Sequence, residues 1–317
     1  MERLLHEAGV TMGPKGELLS GPWEDASVYK ISEDVALVEN IDFFTPIVDE
    51  PTIQGEIAAC NVTNDIYAMA STKILYALAI LGVPSNMPQE IAIGILKGFS
   101  GFLNRLGVSV AGGQTILNAW PIVGGCAVSI CHPQKIVYIH GAKPGDMLVL
   151  TKPLGIQPAM AAYRLRKEEA GRKYLQKLPE GLVENAIRKA IEVMTTSNMP
   201  VAEVMQQVPV NAATDVTGFG LRGHAKNMAE ASRVDIEITR MVFIEGTLAL
   251  SKLLGYPLLT GEASETAGGM LISISKRDLD ELMDKLEKKG VKAYVVGTVK
   301  RGSGNVTLKK DLETIEV

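Results

Sequence analysis

In Asn211-Ala-Ala-Thr-Asp215-Val-Thr-Gly218-Phe-Gly220-Leu-Arg-Gly223-His224, a short apolar run leads into one aspartate, then three glycines, then a helical pattern that runs to about Ala231. Glycines between a strand and a helix let backbone N–H groups approach a phosphate at the helix N-terminus, where the dipole favours anions. Gly218-x-Gly220-x-x-Gly223 has the spelling of a dinucleotide fingerprint, and Val234-Asp-Ile-Glu-Ile238 would pass for the following strand with an acid in about the right place. Asp215 argues against that reading. It stands three residues before the first glycine, so its carboxylate would face a pyrophosphate and repel it unless a divalent cation lay between them. Carboxylates together with phosphate oxygens are the usual ligands of Mg²⁺. Asp215 and the glycines therefore read better as a metal–triphosphate site than as a nicotinamide site; the plainer alternative is a tight turn that only opens a helix.

The chain around this segment has 317 residues, 46% apolar and 21% charged, with a net charge of −4. That is an ordinary globular profile with length for two domains or one large one. The mild acidity and the absence of a Lys/Arg block argue against nucleic acid as a partner. No run of eighteen apolar residues offers a membrane span, and Met1-Glu-Arg-Leu-Leu-His-Glu lacks the apolar core of a secretory signal. Cys60, Cys126 and Cys131 are too few and too scattered for a disulfide framework. A cytoplasmic setting is expected.

In chain order, residues 1–20 suggest a helical turn and a glycine-rich arm, Met12-Gly-Pro-Lys15-Gly16. Strands are expected near Asp25–Tyr29 and over Asp34–Asp42, each bordered by acids. The prolines of Phe43–Pro51 exclude a central strand there. A helix from about Ile53 to Ala70 carries Asn61, Asn64 and Asp65 at i, i+3 and i+4, which places them on one face. An unpaired buried polar group costs about 1–3 kcal/mol, so this stripe faces solvent or a ligand. Ile74–Leu81 reads as a buried strand, and Met87–Leu106 as a helix whose Gly94, Gly98 and Gly101 suggest close packing. Gly112-Gly113-Gln114-Thr115 reads as a second glycine turn, and Pro121–Ile130 as a strand. Gly141-Ala-Lys-Pro-Gly145 marks a linker, giving domains 1–141 and 142–317. The second part should hold helices over 157–169, 181–195, 200–207, 244–254 and 277–289. Strands are expected over 234–238, 270–274 and 291–298, with a charged C-terminal hairpin after them. The fold class is α+β, with mixed sheets covered by helices on one face rather than a doubly wound sheet.

Asp25, Asp42, Asp65 and Asp215 each lie at a strand end or on the polar helix face. Singly, each reads as a loop acid or a cap. Together with two glycine-rich segments they favour Mg–nucleotide chemistry. Seven stretches then carry a resemblance: Glu24-Asp-Ala-Ser-Val-Tyr29, Asp42-Phe-Phe-Thr-Pro-Ile-Val-Asp-Glu-Pro51, Asn61-Val-Thr-Asn-Asp65-Ile-Tyr-Ala-Met69, Gly112-Gly-Gln-Thr115, Thr151-Lys-Pro-Leu-Gly155, Thr214-Asp-Val-Thr-Gly-Phe-Gly220 with Gly223-His224, and Glu265-Thr-Ala-Gly-Gly269. In this order they resemble the selenophosphate synthetase (selenide, water dikinase) family over nearly the whole chain.

The resemblance implies the two-domain fold shared with aminoimidazole ribonucleotide synthetase, and a homodimer whose N-terminal domains form a joint β-barrel. It implies conversion of ATP, selenide and water to selenophosphate, AMP and phosphate. Asp25, Asp65 and Asp215 match the Mg²⁺-binding acids. Pro22, Trp23, Glu24, Asp42 and Asp65 match nucleotide-contacting positions, and Gly113, Gln114 and Thr115 match a triphosphate loop contributed across the dimer. Such chemistry is phosphoryl transfer, in which metal ions neutralise charge while the protein positions. The family also carries an N-terminal arm with a selenocysteine or cysteine and a lysine three residues on, and nothing in this chain corresponds to it. Lys15 is the candidate substitute for the lysine, the three cysteines read as small core residues, and the catalytic nucleophile is left unassigned. The alternatives are a kinase of another small substrate and a catalytically impaired nucleotide-binding partner.

Overall fold

The computed structural model describes residues 7–9 and 13–317. Residues 1–6 and 10–12 of the helical turn and arm expected over residues 1–20 lie outside the described residues. The first part runs β1 (Ser27–Lys30), β2 (Ala36–Phe44), α1 (Pro51–Ala68), β3 (Lys73–Val83), α2 (Gln89–Arg105), β4 (Ser109–Leu117) and β5 (Ile122–Cys131). Its five strands form one sheet in the order β1-β2-β5-β3-β4, antiparallel except for the β3–β4 pair. The second part runs β6 (Asp146–Leu150), α3 (Ile156–Leu165), α4 (Glu169–Leu175), α5 (Leu182–Thr195), α6 (Met199–Met205), β7 (Val210–Asp215), α7 (Gly220–Ser232), β8 (Val234–Phe243), α8 (Thr247–Leu254), β9 (Met270–Ser275), α9 (Leu279–Lys288), β10 (Tyr294–Arg301) and β11 (Val306–Glu316). Its sheet has the order β11-β8-β10-β6-β9-β7. The expected α+β class with mixed sheets is what the chain forms.

α1 is the hub. Glu50 accepts the Ile53 N–H and Pro51 opens the first turn, a well-formed start for a helix. Its small residues let α2 come very close: a Cβ on Gly98 would lie 1.9 Å from the Thr52 carbonyl oxygen, and one on Gly55 2.0 Å from that of Ile95. Close packing at Gly98 agrees with the expectation, whereas Gly101 faces open space. With α2 on one side, α1 lies against β2 and β5 and reaches across to α5 and β7.

Several local expectations need correction. Gly112–Thr115 is not a turn but the middle of β4, an exposed edge strand parallel to β3. Gly113 is needed because a Cβ there would lie 1.9 Å from the Ala79 carbonyl oxygen. β3 is half-buried with alternating exposure, not fully buried. The expected helix 157–169 ends at Leu165 as α3, and the separate α4 begins only at Glu169; Arg172 caps the break by donating to the carbonyls of Arg166 and Lys167 at 3.2 and 2.9 Å.

The C-terminal hairpin does not form. β10 pairs antiparallel with β8, and β11 pairs parallel with the other edge of β8, so β8 lies between them. The crossing loop is held by Asp235, whose Oδ1 accepts the N–H groups of Ser303, Gly304 and Asn305 at 2.9, 3.2 and 2.8 Å. A carboxylate at the start of β8 thus stabilises a passage over the strand edge that strand alternation alone does not encode. Among the described residues no helix is long and apolar enough to cross a membrane.

Candidate active site

Against the expectation of solvent or a ligand, the two amides of the polar stripe of α1, Asn61 and Asn64, are buried among protein groups at the ends of strands from both sheets, while Asp65 beside them is half-buried at a cleft. Asn61 donates to Asp42 and accepts the Ala267 N–H at 2.8 Å. Asn64 donates to Asp215 Oδ2 at 3.3 Å and to the Gly268 carbonyl at 3.2 Å, and its own oxygen accepts from Asn198 at 2.9 Å. Asp65 Oδ2 accepts from Asn40 at 2.9 Å, and Asp25 Oδ1 from the Thr214 hydroxyl at 2.8 Å. Four carboxylates are therefore each oriented by one neutral side-chain donor. None has an ion-pair partner among the described residues.

Electrostatically this arrangement is unfavourable by itself. Burial pushes Asp25 and Asp65 well above the usual carboxylate range, and repulsion from Asp215 adds to it in both. Burial raises Asp215 to about 7, although the Asn64 amide pulls the other way. Asp42 is raised by burial despite its bond from Asn61. Among the described residues Asp25 Oδ2 is buried without any hydrogen-bond partner, the state of a group that awaits a ligand. Oxygen-only donors with spare lone pairs suit Mg²⁺, which keeps positions for water and phosphate oxygens. Among the described residues no three such groups are drawn into a closed cage; the acids are neighbours around an opening. That opening is a cleft of about 370 Å³ lined by Glu24, Asp25, Asp65, Asn40, Ser20 and Gly21, among others.

Expected site residues fall into three groups. Glu24, Asp25 and Asp65 line the cleft, while Asp42 and Asp215 join them through the α1 amides. Glu24 already spends both oxygens on the linker, Oε2 accepting the Ile139 N–H at 2.9 Å and Oε1 meeting His140 Nδ1 at 2.6 Å. Pro22 and Trp23 are exposed and lie outside the lining of the cleft. Gly113, Gln114 and Thr115 sit on β4, at the edge of the sheet opposite β1, and also outside the cleft. Lys15 is exposed, bridging Leu18 through its backbone, and is not part of the cleft wall.

Of the three glycines, Gly220 is spent on packing, while Gly218 is exposed with open space beside it. Gly220, at φ +66°, lets the 258–263 loop close over the start of α7, where the Arg222 N–H donates to the Gly261 carbonyl at 2.8 Å. His224 Nε2 accepts the Thr217 N–H at 3.0 Å, and burial holds this imidazole down at about 4, neutral. So Asp215 joins the acids while Gly220 after it packs the turn. Of the cysteines, Cys60 is fully buried, but Cys126 and Cys131 are only half-buried. The Cys60 thiol donates to the Thr196 carbonyl at 3.2 Å, and burial pushes its pKa up, which keeps it a neutral thiol.

Sequence reasoning missed Lys152, Asn40 and Asn198. Lys152 is buried, with its Nζ donating to the Thr196 and Ala267 carbonyls at 2.6 and 2.8 Å, and burial lowers its pKa. The signal for Asn40 was present: it takes an inward position in the alternation of β2, where a polar residue needs a partner.

The family model described as AIR synthase related protein, N-terminal domain, matches residues 23–131, and that of the C-terminal domain matches 143–309. The chain is 43% identical over 308 residues to a Methanocaldococcus jannaschii protein named "Selenide, water dikinase", covering 95% of this chain and 87% of that one. It is 36% identical over 295 residues to the Homo sapiens "Selenide, water dikinase 2", covering 89% and 66%. Among solved structures, tt0281 from Thermus thermophilus has a TM-score of 0.75 at 17% identity, covering 98% of this chain and 96% of that one. The structure described as AaThiL complexed with AMPPCP and TMP has a TM-score of 0.73 at 16% identity, covering 97% and 91%. E. coli HypE, a hydrogenase maturation protein, has 0.70 at 18%, covering 97% and 93%. These three likenesses establish the fold alone.

Proposed function

Because the chain belongs to the selenide, water dikinase family, we propose that its acid cleft holds Mg–ATP while ATP, selenide and water are converted to selenophosphate, AMP and phosphate. The observation that carries this reading is the set of four buried or half-buried carboxylates with only neutral donors, one of whose oxygens, Asp25 Oδ2, has no partner among the described residues. Asp25, Asp65 and Asp215 would hold the metal, and Asp42, tied to Asn61, would support them. The ions, when bound, neutralise charge on the phosphates. The protein's own part is positional: Asn40, Asn61, Asn64 and Thr214 fix the carboxylate orientations, since a supporting hydrogen bond sets a ligand's geometry. Glu24 ties the nucleotide-facing segment Pro22–Asp25 to the linker, with Trp23 beside it as an exposed aromatic for the base.

Gly113, Gln114 and Thr115 serve the phosphates of a second copy in this reading, because they stand at the far edge of their own sheet. The outer face of that sheet supports a homodimer. Ile41, Phe43 and Ile116, which the strand register places on one face, are exposed by 48–63%, an apolar surface of the kind that marks an interface. The setting would be the cytoplasm. Neither Lys15 nor Cys60 is given the chalcogen-activating role, the first because it is outside the cleft and the second because it is a buried neutral thiol.

Anaerobic incubation with Mg–ATP, with and without selenide, tests the proposal. Selenide-dependent AMP together with a new phosphorus–selenium resonance is expected. ADP as the product, or nucleotide binding without turnover under either condition, would overturn it in favour of a kinase of another small substrate or a silent nucleotide-binding partner.

A further inference from the structure

Lys152 also borders a second cavity, of about 420 Å³, that shares no lining residue with the acid cleft. Its walls include Val193, Val201, Ile244 and Val291, so an apolar body can be buried there. Its charges are one-sided. Lys189 and Lys289 are matched by Glu245 and Glu203 at 2.9 and 2.7 Å, and Glu192 at the rim is engaged by Arg188 at 3.5 Å. Lys152 and Lys292 have no carboxylate partner among the described residues. Two of the three N–H groups of Lys152 are spent on the Thr196 and Ala267 carbonyls, and the third has no acceptor among the described residues. A buried ammonium left one bond short, beside an apolar wall, is complementary to a monoanion.

We propose that this cavity is a second binding site, for a small organic carboxylate whose head pairs with Lys152 and Lys292 and whose apolar body lies against Val193, Val201 and Val291. The site is linked to the acids. Asn198 forms part of its wall and donates to Asn64 at 2.9 Å, while Asn64 holds Asp215. The occupant sits two side-chain hydrogen bonds from Asp215. The proposal does not rest on the acid cleft being a selenide or nucleotide site.

Benzoate and its neutral isostere benzamide, titrated into the full chain with labelled Val and Ile methyl groups, test it. Benzoate is expected to shift the methyl signals of Val193, Val201 and Ile244, leave that of Ile41 in the acid cleft unmoved, and bind about tenfold or more tighter than benzamide, as a charged hydrogen bond would give. Lys152→Met should erase the preference for the anion. Lys292 is exposed, so Lys292→Ala, which leaves the core intact, should weaken benzoate severalfold and benzamide not at all. Equal affinity for the two probes, shifts at Ile41 in place of the cavity methyls, no saturable shift, or a Lys292→Ala protein that binds benzoate as well as the wild type would each overturn the proposal.

Discussion

Two aspartates in this molecule are held in opposite ways. Asp235 lies at the surface with three backbone N–H groups and the Asn305 amide on one oxygen, and these bonds pull its pKa down. Asp215 is buried with one amide bond and three acidic neighbours, and its pKa is driven up to about 7. The first carboxylate is finished: four donors converge on its Oδ1 and it fixes a loop. The second is unfinished, and its unfavourable charge is what a cation would relieve. Counting donors around a carboxylate thus separates a structural acid from a binding one, where residue type alone does not.

The largest expected effect is on the unfinished side. Asp65→Asn removes a charged ligand, and losing a cation's stabilisation of the phosphates should lower turnover by roughly a hundredfold or more, read as kcat/KM for AMP formation. Unchanged Mg–ATP affinity in a titration would break the assignment of the acids. His224 sharpens the comparison with the opposite charge. Its folded pKa of about 4 lies below the ordinary 6.5, so its contribution is fully present above 6.5 and lost as pH falls towards 4. That loss is worth about 3 kcal/mol; because Asp215 titrates in the opposite sense over the same range, it is read from urea unfolding at pH 7.5 and 4.5 as the change in the stability difference between the wild type and His224→Asn.

Asp215→Asn should do two things at once. In metal-free protein at pH 8 it removes a buried, repelled charge and should stabilise the fold by roughly 2 kcal/mol. As a raised pKa requires, the wild-type penalty is absent below pH 3.8 and grows as pH rises through 7. Adding Mg²⁺ should reverse the order of stability, because only the wild type gains from the bound ion. Melting curves with and without Mg²⁺ would measure both. The smallest effect belongs to Asp235→Ala, which should lower the melting temperature equally with and without Mg²⁺ and leave turnover intact; any Mg²⁺ dependence would blur the distinction between the two acids.

The acids were legible because their positions follow from local rules. Asn61, Asn64 and Asp65 share a helical face by spacing alone, and a polar face on a small-residue helix must find partners. Asp215 was legible at the end of an apolar run. What was not legible depended on contacts between distant segments. Gly112-Gly113 reads as a turn until β3 is seen pressing on it, and the packing of Gly220 by the 258–263 loop is invisible until the two segments are seen together. The C-terminal strands look like a hairpin until Asp235 is found holding the chain across β8. Lys152 sits in a short Thr-Lys-Pro stretch, and nothing local tells that its ammonium is buried under two carbonyls.

Asn64 reaches from a helix of the first sheet's side to an aspartate at the end of a strand in the second. Three of the four acids come from one half of the chain and the fourth from the other, so the charge pattern exists only when the halves are docked. Any cation that bridges them spends part of its binding energy on holding the halves together. Loading of the cleft is thereby a report on assembly: a chain whose second half is loosened loses the fourth carboxylate, and with it the affinity, before any residue of the first half has moved.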